Sequence, residues 1–99
     1  MRIQILDLAK RDLIDGYHFY EGREAGLGDH FLDSLYSDID SLALYGGVHR
    51  KAYRNFHWLL SRRFPFAIYY TMEAETVFVR AIVDCRRNPS WIRKHLSGS

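Results

Sequence analysis

Ninety-nine residues, 47% hydrophobic and 15% aromatic, are enough for one folded domain over residues 1–99, and too apolar for a disordered chain. A chain this short builds a single core with no deep enclosed cavity, so function has to sit on an open face. The net charge of +2 conceals a split: residues 1–49 hold four Lys/Arg against nine Asp/Glu, and residues 50–99 hold ten against three, so an acidic half is joined to a basic half suited to an anionic partner.

Along the chain, the start Met1 to Asp7 turns polar too early for a signal peptide, and residues 2–5 form a short candidate strand. From Leu6 the apolar positions Leu6, Ala9, Leu13, Tyr17 and Tyr20 recur at spacings of three and four, which predicts an amphipathic helix. Glycines 22, 26 and 28 end it. A second helix follows with the stripe Phe31, Leu35, Ile39 and Leu42, and Asp29 stands near its start as a candidate cap; the two helices form an antiparallel hairpin.

Gly46-Gly47 closes the second helix, and beyond it the period shifts toward two. Arg54 to Leu60, Phe66 to Met72 and Thr76 to Val83 read as strands, the last with Val77, Val79, Ala81 and Val83 alternating against Phe78, Arg80 and Ile82. Glu73-Ala74-Glu75 joins the second and third as a hairpin. Asn88-Pro89 stops the last strand, and Ser90 to Leu96 forms a short closing helix. The expected fold is α+β: a helical hairpin on one face of a small, mainly antiparallel sheet, with the other face free.

Arginine dominates the candidate chemistry. Arg54, Arg62, Arg63, Arg80, Arg86 and Arg87 lie in or at the ends of neighbouring strands, where several can converge, and guanidinium forks onto phosphate or carboxylate alike. Arg80 interrupts an otherwise apolar strand, where an unpaired charge is costly. Tyr69 and Trp91 are candidate surface aromatics for stacking on a base. His57 is the histidine placed within the sheet, where it can act as general acid or base. The remaining histidines lack metal-ligand spacing, and no phosphate-cradling loop or nucleophile elbow is present, so no metal or cofactor is expected. Cys85 is alone, which excludes an internal disulfide and fits a reducing cytoplasm; its place at a strand end suggests a small buried filler.

Two blocks carry a family likeness: Arg63-Phe64-Pro65-Phe66-Ala67-Ile68-Tyr69-Tyr70, and Val79-Arg80-Ala81-Ile82-Val83-Asp84-Cys85-Arg86-Arg87-Asn88-Pro89. Together with Asp12-Leu13, Tyr17 to Glu21 and Gly26 to Leu32, they resemble the RelE/ParE superfamily of bacterial toxins of type II toxin-antitoxin systems over nearly the whole chain. The resemblance implies a cytoplasmic, growth-inhibiting toxin held in a heteromeric complex by a cognate acidic antitoxin that folds as it binds.

Two activities follow from such a likeness. Members of the RelE-like branch cut messenger RNA on the ribosome and carry an arginine where this chain has Ala67; Arg86 matches the basic residue they carry after the last strand and Trp91 lies near the place of a catalytic tyrosine, so the set is partial, with Arg62 or Arg63 to stand in for the missing arginine and His57 as a general acid or base. Members of the ParE-like branch poison DNA gyrase without a hydrolytic centre, and the pattern with alanine is closer to these. A non-toxic antitoxin-binding module is the third possibility. Arg54, Arg62, Arg63, Tyr69, Arg80, Arg86 and Arg87 are the expected contacts to the target or to nucleic acid.

Overall fold

A computed structural model describes residues 1–98. The elements are β1 (Arg2–Ile5), α1 (Asp7–Glu21), α2 (Leu27–Asp40), α3 (Leu42–Tyr45), β2 (Lys51–Tyr53), β3 (Phe56–Leu60), β4 (Phe66–Glu73), β5 (Thr76–Asp84) and α4 (Pro89–Ser97). Five strands form one sheet in the order β1-β5-β4-β3-β2, with β1 parallel to β5 and the other ladders antiparallel. This is the expected α+β architecture with its helical hairpin and short C-terminal helix.

Both hairpin helices bury the stripes read from their spacing. Ala9 and Leu13 of α1 and Phe31, Leu35 and Ile39 of α2, with Leu42, meet Ile68 and Tyr70 of β4 and Val77, Val79 and Ile82 of β5. Gly16 also lies on the buried face of α1 because the Phe31 ring fills the space beside it: a Cβ there would come within 2.4 Å of Phe31 Cζ. The cap of α2 differs from expectation. Asp29 already sits inside the first turn, and the free amides of Gly26 and Gly28 instead donate to the Glu21 carboxylate, at 3.0–3.1 Å, from the end of α1. Gly26 adopts φ 89°, a left-handed turn that favours glycine.

Three expectations about the sheet need correction. Arg54 to Leu60 is not one strand: the chain reverses at Arg54 and Asn55, with Arg54 at φ 51°, so that Tyr53 pairs with Phe56 and a second edge strand, β2, forms. The alternation of β5 is broken at Arg80. Tyr69 faces Ala81 but Tyr70 faces Val79, which leaves Arg80 as the extra residue of a β-bulge. Val77, Val79 and Ile82 therefore share the helix-covered face, while Ala81 and Val83 lie on the other. That other face is not free, because α4 crosses part of it and buries Leu96 against Ala67, Tyr69, Ala81 and Val83. Small residues on the strands leave room for the helix. Among the described residues no helix is long and apolar enough to cross a membrane.

Candidate functional site

One end of the sheet collects four of the six arginines. Arg62 and Arg63 lie in the β3–β4 loop, Arg86 and Arg87 in the β5–α4 loop, and the Cys85 amide donates to the Pro65 carbonyl at 2.8 Å, tying the loops together. The tip of the helical hairpin joins them through Tyr20, whose ring meets Phe64 with 4.9 Å between centroids.

The four differ in what they already hold. Arg62 Nε reaches Asp38 Oδ1 at 3.2 Å, and Asp38, buried on α2, also accepts from the Ser61 hydroxyl at 2.8 Å. Asp38 thus latches this loop to α2 while most of the Arg62 side chain stays in solvent. Arg63 makes no hydrogen bond or ion pair among the described residues and borders a hollow of about 230 Å³ with His30, Ser34 and Ser37. Arg86 grips Asp84 with two nitrogens, at 2.9 and 2.8 Å, and this bond holds the Asp84 carboxyl below its ordinary range. Arg87 lays its guanidinium 4.2 Å from the centre of the Trp91 ring. Unengaged donors therefore belong mainly to Arg63, to the outward nitrogens of Arg62, and to Arg87.

Behind Arg87, α4 is pinned to α1. Trp91 stacks on His95 at 4.7 Å and 12°, and His95 Nε2 donates to the Asp12 carboxylate at 2.9 and 3.0 Å. The same carboxylate accepts the Ile82 amide at 2.9 Å, satisfying an edge donor of β5 that no neighbouring strand reaches. Burial pushes the Asp12 carboxyl above its ordinary value, against the pull of the Ile82 amide and His95. Sequence reasoning missed this joint, which spans 83 residues along the chain; the only signal was Asp12-Leu13 in the family likeness.

The other expected site residues lie elsewhere. Arg54 is at the far end of β3, its guanidinium 5.2 Å from the Tyr53 ring. Arg80 projects from the bulge on the face opposite the helical hairpin, where Nε donates to the Thr71 hydroxyl at 2.9 Å and the guanidinium lies 5.8 Å from the Phe78 ring, so its charge is not unpaired. Tyr69 is buried beneath α4 rather than displayed. Trp91 is 38% exposed, but Arg87 and His95 engage its ring, so it offers no free face to a base.

His57 stands opposite Tyr70 on the helix-covered face, stacked on that ring at 5.0 Å, with Nδ1 donating to the His49 carbonyl at 2.8 Å. Arg62 is five residues further on, roughly 15 Å away at the rise of a strand. The set Arg62, Arg63, Arg86, His57 and Trp91 therefore does not converge. Cys85 is exposed rather than a buried filler. Among the described residues no three His, Cys, Asp or Glu side chains are grouped to hold a metal ion.

A helical hairpin on one face of a five-stranded mixed sheet, a closing helix on the other, and basic loops at one end make up the architecture. No family model and no curated protein matches the sequence. Among solved structures, the fold is similar to that of a chain in the chromosomal ParDE toxin-antitoxin system from P. aeruginosa, with a TM-score of 0.76 and 16% identity over 85% of this chain and 95% of that one. At that identity the two share a fold.

Proposed function

We propose that this protein is the toxin of a type II toxin-antitoxin pair, held inactive by an acidic antitoxin, and that when released it poisons DNA gyrase rather than cutting ribosome-bound messenger RNA. The reading rests on the family likeness, the shared fold and the basic end of the sheet. One observation favours gyrase. Ala67, where RNA-cutting relatives are expected to carry an arginine, is 1% exposed and covered by α4, so even an arginine there would point into packed side chains. A general base also has to lie within about 3 Å of the proton it removes, and His57 faces the other way.

Arg62, Arg63, Arg86 and Arg87 are the proposed contacts to the target, with Arg80 a second point on the opposite face; Arg54 stands apart from both. Induced expression without the antitoxin is expected to arrest growth. The purified protein is expected to inhibit gyrase supercoiling and to leave messenger RNA on programmed ribosomes intact. A-site cleavage that disappears with Arg86→Ala, while supercoiling is unaffected, would transfer the protein to the ribonuclease branch. Harmless expression would leave a binding module.

A further inference from the structure

The loop between β3 and β4, residues 61–65, is held at every position but one. The Ser61 hydroxyl donates to Asp38 Oδ2 at 2.8 Å, and the Ser61 amide donates to the Phe66 carbonyl, also at 2.8 Å. Arg62 reaches the same Asp38 carboxylate twice, through Nε at 3.2 Å and through its amide at 3.4 Å. The Phe64 ring packs among Tyr20, His30 and Phe31, with 4.9–5.4 Å between centroids, and the Pro65 carbonyl accepts the Cys85 amide. Arg63 is the exception, with no hydrogen bond or ion pair among the described residues. A rigid frame thus displays one unengaged guanidinium.

Asp38 is the centre of that frame. Its side chain is 6% exposed, and a carboxylate withdrawn from water is costly unless its oxygens are satisfied. Here every donor to them comes from the loop and none from α2. The carboxylate therefore fixes the loop rather than its own helix, and a loop ordered before binding spares the binding step that entropy cost. Charge alone argues the other way. An aspartate beside a basic site repels an anionic partner, so its removal would tighten binding if charge were all it supplied.

We propose that Asp38 is a positioning residue for the target: it sets the β3–β4 loop so that Arg63 meets the anionic surface of gyrase assembled on DNA. The proposal deepens the toxin reading above and rests on it. Asp38 touches nothing outside the protein. It acts through the loop, and loss of the carboxylate leaves Arg63 present but no longer aimed.

The test measures the concentration of purified protein that half-inhibits gyrase supercoiling, with circular dichroism confirming that each variant is folded. Arg63→Ala is expected to raise that concentration about tenfold or more, as loss of a central arginine contact does. Asp38→Ala is expected to raise it about tenfold as well, against the sign of the charge removed. Tyr70→Phe, which loosens the fold far from the loop, is expected to leave it unchanged. The two loop variants combined are expected to be no more than about threefold worse than Arg63→Ala alone, because Asp38 has little left to position. Where Asp38→Ala fails to fold, Ser61→Ala takes its place in the same cycle, with an expected loss of about threefold. Unchanged or improved potency of the Asp38 or Ser61 variant overturns the proposal, as does an equal loss in Tyr70→Phe or a double variant whose losses multiply, and in each of these cases the toxin reading stands. Wild-type protein without effect on gyrase overturns both.

Discussion

Replacing Asp12 separates its two duties at the open edge of β5. Asp12→Ala removes the acceptor of the Ile82 amide and of His95, both held at 2.9 Å in a largely buried setting. An amide left without an acceptor costs about 1–3 kcal/mol. The carboxylate itself carries an opposing penalty: burial raises its folded pKa above the ordinary 3.8, so the stability it contributes is fully present below pH 3.8 and is lost as pH rises through the folded value. At pH 7 the wild type bears that desolvation cost, and a neutral side chain escapes it.

Asp12→Asn keeps an oxygen for Ile82 and a polar group beside the His95 ring. The expected losses at pH 7 are therefore about 2 kcal/mol for alanine and less than about 1 kcal/mol for asparagine, with the alanine variant melting roughly 10 °C lower in a domain of this size. Urea titrations followed by circular dichroism measure both. Equal losses would refute the reasoning by showing that the charge, not the acceptor, secures the edge; a loss below about 0.5 kcal/mol for alanine would show that the Ile82 amide has no need of Asp12.

Three further outcomes follow from the geometry. Arg86→Ala with Arg87→Ala, at exposed loop positions, is expected to leave the melting temperature almost unchanged and to abolish growth arrest; a folded, fully toxic double variant would remove the basic end from the site. Tyr70→Phe deprives the Gly47 amide and His49 Nδ1 of a hydroxyl at 3.0 and 2.6 Å, and is expected to cost about 1–3 kcal/mol in denaturant titration. Burial, followed by repulsion from His57, lowers the His49 pKa below 6.5; its contribution is thus present above pH 6.5 and lost as pH falls through the folded value, and a denaturation midpoint that declines from pH 7 toward 5 in the wild type but less in His49→Gln would show it.

Much of this fold is legible in the sequence because periodicity reports burial. The stripes of α1 and α2 become the core, and Phe66 to Met72 becomes the central strand. What stays hidden depends on contacts distant in sequence or on a single extra residue. Val77, Val79, Ala81 and Val83 look like one face, and only pairing with Tyr69 and Tyr70 reveals the bulge at Arg80. Nothing in the period-two pattern marks Ala67 and Ala81 as the floor beneath a helix. The loop arginines do gather as expected, whereas Arg54, Arg80 and His57 are dispersed by a turn, a bulge and the side of the sheet on which each falls.

The parallel pairing of β1 with β5 also orders events during synthesis. Residue 2 pairs with residue 76, and Leu6 donates to the Val79 carbonyl, so the first strand waits unpaired until residues 76–79 have been made. Local helices form in microseconds, but contacts this remote in sequence come late, and a ribosome adds only about 5–20 residues per second. For several seconds each nascent chain therefore exposes a helical hairpin without a completed sheet. The basic loops flanking β4 and β5 acquire their fixed spacing only once both strands have been synthesised and paired, after the hairpin has already formed.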